Sequence, residues 1–206
     1  MKVTKGQARA NRAHVVATAS QIFREHGFDG VGVADLMAAA GFTHGGFYRQ
    51  FGSKADLMAE STVCGIAQTA ALIEGVDASE FVRRYLSREH RDGRATGCTM
   101  AALSGDAARQ PERVRAAFEQ GIESLVKTLS QQSGVSSAAD AAQTRARILD
   151  ALAHALGALV MSRACPDDSP LADEILAVSR AATLESLRPD SSDHPQGTSQ
   201  PSRRPA

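Results

Sequence analysis

Around one pair of glycines, Gly45 and Gly46, the stretch AGFTHGGFYRQFGSKADL (residues 39–56) gathers the hydroxyls of Thr43 and Tyr48, the imidazole of His44, the guanidinium of Arg49 and the ammonium of Lys54. Such donors suit a phosphate-lined groove. Hydroxyls, an ammonium and free helix N–H groups meet phosphate oxygens, whereas His44 or Arg49 can reach base edges, with guanine the preferred partner of arginine. The glycines need a reason, because each weakens a helix by roughly 1 kcal/mol relative to alanine. Phe47 and Phe51, four apart, can clamp the segment from behind at about 2 kcal/mol per buried ring. A segment held from behind and bare in front lets its backbone come close to another surface.

A run of helices must position that segment. Residues 8–26 place Val15, Val16, Ala19, Ile22 and Phe23 at helical spacing, and Gly27 is suited to end the helix. A short second helix is expected over 33–40, with Leu36 and Met37 inward and Gly41 as its breaker. Thr43 is then placed to cap a third helix running to about residue 51. Two short helices joined by a glycine-containing turn suggest a helix-turn-helix. Ser53 with Asp56 three residues on is close to a capping box, opening a long helix to about residue 73. Further helices are expected over 79–90 and 98–108, after Pro111 on the stripe Val114, Phe118, Ile122, Leu125 and Leu129, and over 140–163 and 171–187. No stretch alternates as a strand. Residues 133–139 look like a loop, and the segment from Pro189 onward is too poor in apolar side chains to offset its ordering entropy. The expected fold is all-α: a three-helix helix-turn-helix domain (1–54), a helical bundle reached through a long helix (55–188) and a disordered tail (189–206).

The 206 residues are 43% hydrophobic, enough for a core, and their formal net charge of zero hides an asymmetry. Residues 1–56 hold seven Lys and Arg against four Asp and Glu, with no acid before Glu25. That separation points to an N-terminal segment that meets a polyanion and a body that does not. Cys64, Cys98 and Cys165 lie far apart, without a CxxC pair or clustered histidines, so neither a disulfide framework nor a zinc site is indicated. No apolar run is long enough to cross a bilayer and no signal peptide is visible, so a cytoplasmic protein with no membrane partner is expected. Ser104 lacks a GxSxG elbow, and neither HExxH nor a phosphate-binding glycine loop occurs. No catalytic residue, metal or cofactor is therefore expected.

The order of residues in GFTHGGFYRQFGSKADL resembles the helix-turn-helix signature of the TetR/AcrR family of transcriptional regulators, over about the first quarter of the chain. By that resemblance Thr43, His44, Gly45, Tyr48, Gln50 and Lys54 fall on positions that family members use against DNA, with Gly46 and Arg49 beside them. Two positions depart from the pattern: Gly32 stands where a capping Thr or Ser is common, and Ala34 where many members carry a polar or basic side chain.

The resemblance also implies a small-molecule pocket inside the C-terminal bundle, signalling through the helix that leaves the DNA-binding domain. Tyr85, Cys98, Met100, Phe118, His154 and Met161 are candidates for its lining, although such residues at helical spacing equally serve as plain core. Cys98 follows Gly97 at a helix start with Arg94 nearby, which suits either a reactive thiol or a small buried residue filling space. Some relatives sense electrophiles through a cysteine in this region. Ile148, Leu152, Leu156, Leu159, Leu171, Ile175 and Val178 resemble the helix pair with which family members dimerise. A homodimer would set two recognition helices about 34–36 Å apart, matching the half-sites of a palindromic duplex operator.

Overall fold

The computed structural model describes residues 4–132 and 137–187. Residues 133–136 of the expected loop and the expected tail 189–206 lie outside the described residues. No strand occurs among those described, and the all-α expectation holds.

Helix α1 (Lys5–His26) begins a turn before the apolar periodicity does, because the Thr4 hydroxyl accepts from the Gln7 N–H and caps it. It ends at Gly27, whose φ of 77° only glycine adopts freely and whose N–H donates to the Phe23 carbonyl at 2.8 Å. Helix α2 (Val33–Ala39) follows, and its N-cap, Gly32, supplies no side-chain bond. After Gly41, at φ 78°, the chain forms a 3-10 segment, His44–Arg49, instead of the expected α-helix. The Thr43 side chain makes no cap bond; the turn is closed by its carbonyl, which accepts from the Gly46 N–H at 2.9 Å. Six residues containing two glycines are too short and too weak in helix preference to settle into the wider α geometry.

Helix α3 (Lys54–Ile73) starts as expected, with the Ser53 hydroxyl accepting from the Asp56 N–H at 3.2 Å. The single helix expected over 79–90 is two, α4 (Ala78–Tyr85) and α5 (Arg88–Asp92). Leu86 leaves the helical region at φ −95°, ψ 47°, and the Ser87 hydroxyl caps the new start by accepting from His90 N–H at 3.1 Å. Helices α6 (Thr99–Ala107), α7 (Glu112–Gln132), α8 (Ala138–Ala164) and α9 (Pro170–Ser186) complete the body.

One apolar core runs from end to end. Val15, Phe23, Leu36, Phe47 and Phe51 fill the first part, Leu57 and Ile66 of α3 continue it, and Val114, Phe118 and Leu125 of α7 close over α3. Ile122, expected on the same α7 stripe, is instead exposed. No helix among the described residues is long and apolar enough to cross a membrane.

Candidate nucleic-acid interface and effector cavity

Phe47 and Phe51 are both buried, their rings stacked 5.4 Å apart beneath the 3-10 segment. In front of them the surface is bare. A Cβ added at Gly45 would meet nothing within 4 Å, and one at Gly46 would touch only Met37 Cε at 3.6 Å and Thr43 Oγ1 at 3.9 Å. Thr43, His44 and Arg49 are exposed, and Tyr48 is 67% exposed, standing edge-on to Phe47 and His44 with centroids 5.1 and 6.1 Å away. A large aromatic so open to water, held by two ring contacts, is oriented outward with its hydroxyl free.

Two of the expected contact residues face another way. Gln50 is half-buried, and its side-chain oxygen is buried without a hydrogen-bond partner, so its acceptor does not look outward. Lys54 reaches back across the loop: its Nζ donates to the Phe28 carbonyl at 2.6 Å and lies 6.0 Å from the Phe23 ring centroid. Lys54 thus holds the loop between α1 and α2 as well as carrying charge. Replacing it with Met keeps the stem and removes the bond. Lys54→Met should cost about 1.5–3 kcal/mol of stability in denaturant unfolding, the range for a hydrogen bond to a charged group, in addition to weakening DNA binding.

Sequence reasoning missed the residues that fix this face to the body. Arg12 donates from Nε to the Gln50 carbonyl at 3.2 Å, pairs through both terminal nitrogens with Glu60, and stacks 4.5 Å from the Phe51 centroid. The hydrogen bond from Glu60 raises the Arg12 guanidinium above its ordinary value, against a smaller effect of burial. Asp106 of α6 accepts from the Phe28 N–H at 3.1 Å, so Phe28 is gripped by Lys54 on one side and Asp106 on the other. Its ring stands edge-on to Phe23 in α1 and Phe118 in α7, at 5.1 and 6.5 Å. Lys54, Asp106 and Phe118 lie 26, 78 and 90 positions from Phe28, and no local pattern in the sequence links Arg12 to Glu60.

A cavity of about 310 Å³ lies between α3, α4, the start of α6, α7, α8 and α9. Ile73, Phe81, Leu86, Leu125 and Leu152 make it apolar, while Thr69, Thr183 and Tyr85 supply the polar atoms. Of the expected lining, Tyr85, Cys98 and Met100 are there. Phe118 is not, being committed to the core against Phe28, and His154 and Met161 are exposed. The reason is helical phase: α8 presents Ile148, Ala151, Leu152 and Ala155 to the cavity, and His154 and Met161 are out of step with that stripe.

The same phase divides the residues expected at the interface. Ile148 and Leu152 line the cavity, Leu156 packs partly against the core, and Leu159 is fully buried, so these face this chain's own interior. On α9, Leu171 and Val178 are exposed and Ile175 is half-buried, while α8 exposes Leu149, Val160 and Met161 instead.

Cys98 is buried at the N-cap of α6, and its N–H donates to His90 Nε2 at 3.1 Å. His90 Nδ1 pairs with the Tyr85 carbonyl at 2.7 Å, which makes it the protonated nitrogen of a neutral ring. Burial, and then the neighbouring Cys98, push the Tyr85 hydroxyl well above its ordinary value, so it stays protonated. Burial likewise lowers His90 below its ordinary 6.5, opposed by the Tyr85 carbonyl and assisted by Arg163. The folded chain therefore takes up this proton less readily than the unfolded one. The His90 contribution is complete above about pH 6.5 and is lost as pH falls below it. Melting temperature should fall between pH 7.5 and 5.5, and His90→Gln should flatten the slope.

A bare, rear-clamped segment behind a short helix and a glycine turn, at the head of an all-helical body, defines a helix-turn-helix protein. Residues 15–60 match the family model described as bacterial regulatory proteins, tetR family. Among curated proteins it is similar to the HTH-type transcriptional repressor NemR of Escherichia coli (strain K12), 27% identical over 132 residues, which span 58% of this chain and 65% of the relative. Among solved structures, the reduced form of E. coli NemR superposes with a TM-score of 0.64 at 21% identity, covering 84% of this chain and 95% of that one. A TetR-family regulator from Cytophaga hutchinsonii gives 0.67 at 16% identity, covering 90% and 98%. These two likenesses concern the fold.

Proposed function

We propose that the protein is a ligand-responsive transcriptional repressor: a homodimer that holds a palindromic operator through the face around Gly45 and releases it when a small molecule enters the cavity under α4. The observation that carries this reading is the open space before Gly45, backed by Phe47 and Phe51 and flanked by exposed Thr43, His44, Tyr48 and Arg49. A backbone free to approach, beside hydroxyls and cations, suits a phosphate-lined groove. Residues 1–54 would form the DNA-binding unit and 55–188 the sensing and dimerising unit, acting in the cytoplasm as a regulator and not as a catalyst. The exposed apolar side chains Leu149, Val160, Met161, Leu171 and Val178 favour burial against a second copy. The largely apolar cavity with few polar groups favours an apolar effector carrying one or two hydrogen-bonding atoms.

Footprinting on the DNA flanking the protein's own coding sequence tests this. A protected region with two-fold symmetry, released by apolar small molecules, is the expected result; no protection above that of random duplex would remove the reading.

A second reading makes the switch a thiol. Cys98, buried beside the Tyr85 hydroxyl, stands at the wall of both the apolar cavity and a neighbouring, more open one on the side of Arg83 and Ser87, the side from which a reagent would approach it. If N-ethylmaleimide releases DNA from Cys98→Ser as well as from the unchanged protein, this second reading fails.

A further inference from the structure

Three arginines share a cleft of about 260 Å³ at the junction of the C-terminal end of α1, the loop before α6, and α8: Arg24, Arg94 and Arg163. Several other arginines among the described residues are matched with carboxylates. Arg12 pairs with Glu60, Arg91 with Asp92 and Asp167, and Arg113 with Asp56. None of the three in the cleft forms an ion pair among the described residues. Arg24, only 4% exposed, donates to neutral acceptors: the Ala95 carbonyl at 2.7 Å, the Ser20 and Thr99 hydroxyls at 3.0 and 3.2 Å, and Gln68 Oε1 at 3.4 Å. Arg163 donates from Nε to the Arg91 carbonyl and from Nη2 to the His90 carbonyl, both at 2.9 Å, and its Nη1 makes no bond among the described residues. The exposed Arg94 side chain makes none either. Among the described residues that line the cleft Glu25 is the one carboxylate, half-exposed, with His26 as its contact at 3.9 Å.

A guanidinium removed from water without a counterion is held at a penalty that an anion relieves. Burial lowers both Arg24 and Arg163 from their ordinary value, and Arg94 adds to the effect at Arg163. The Arg94 fork and Arg163 Nη1 are open, and Arg24 Nη2 has only a long contact to Gln68 Oε1 at 3.5 Å; such planar donors match a tetrahedral oxyanion, to which arginine binds through two bonds at once.

We propose that this cleft binds a phosphate dianion, free or as the head of a small phosphomonoester, bridging Arg24 of α1 to Arg94 and Arg163 of the body. It is separate from the apolar cavity, and its occupant would tie the helix that carries the DNA-binding face to α6 and α8.

Isothermal titration of the full chain with inorganic phosphate, and separately with glycerol 3-phosphate, at constant ionic strength in chloride tests this. One anion per chain is expected, bound roughly tenfold or more weakly after Arg94→Ala or Arg163→Gln and unchanged after Arg49→Ala. Tighter binding of the ester identifies an organic phosphate as the occupant, and equal or weaker binding identifies the free ion; either supports the site. Because Arg94 is exposed and unpaired, Arg94→Ala should fold even if Arg163→Gln does not. Absence of heat beyond that of dilution, binding indifferent to Arg94→Ala, or loss in Arg49→Ala instead would each overturn the proposal.

Discussion

Gly45→Leu should leave the protein folded and melting where it did, and reduce operator affinity by roughly 100-fold, the effect of losing two charge-assisted contacts to phosphate. The folding half of this expectation follows from local geometry. Gly45 does not have a positive φ, so a side chain brings no backbone strain, and nothing lies within 4 Å of its Cβ position. Leucine is also a better helix former than glycine by up to about 1 kcal/mol, which offsets its exposure to water. The binding half follows from what the bare surface does: an isobutyl group there holds the backbone off any groove and strands the N–H groups of the segment short of the phosphates. Gly45→Ala, which is far smaller, should fall between the two. Circular dichroism melting alongside a fluorescence-anisotropy titration of labelled operator separates the two quantities.

Phe47→Ala should also abolish DNA binding, by the opposite route. Phe47 is fully buried, stacked on Phe51 and edge-on to Tyr48. Truncating a buried phenylalanine typically removes 3–5 kcal/mol, about 4 kcal/mol as a central value, through lost transfer energy and the cavity left behind. The segment in front has two glycines and only 3-10 hydrogen bonding, so it has no stability of its own to survive that loss. Denaturant unfolding should show a lowered midpoint in Phe47→Ala and none in Gly45→Leu, although both fail to bind. Phe47→Leu should recover most of the stability, since it restores most of the volume.

The contrast between these two variants reflects what the sequence makes legible. The Phe47 and Phe51 spacing, the Ser53 cap and the Gly27 and Gly41 stops are local signals, and the structure has all of them. The break at Leu86 is hidden because Phe81, Val82, Tyr85 and Leu86 keep an unbroken apolar period, and only Ser87 marks the new start. The direction of Lys54 is not readable in the sequence, because it is decided by the Phe28 carbonyl, a partner brought up by the tertiary fold, and neither is the burial of the Gln50 side-chain oxygen. His154 and Met161, picked by residue type, are exposed, whereas Ile148, Ala151, Leu152 and Ala155 recur at helical spacing on the face that lines the cavity. Arg24, Arg94 and Arg163 lie far apart in the chain, and no pattern in the sequence links them.

Under the proposed function, a signal from the body to the DNA-binding face would pass through a few contacts. Asp106 of α6 and Lys54 of α3 hold the two sides of the Phe28 peptide, and α6 begins at Cys98 and Met100 on the wall of the cavity. A shift of α6 on filling the cavity would therefore be felt at the loop between α1 and α2 before it reached the 3-10 segment. Only an effector with different affinities for the two arrangements can drive such a shift.

Hydrogen–deuterium exchange of the full chain, with and without the duplex found by footprinting, tests most directly whether the segment behind Gly45 is the part that meets DNA. Amides across residues 42–50 should slow markedly on adding duplex while those across 114–128 of α7 keep their rates. Unchanged exchange across 42–50, with protection appearing on another face, would contradict the account.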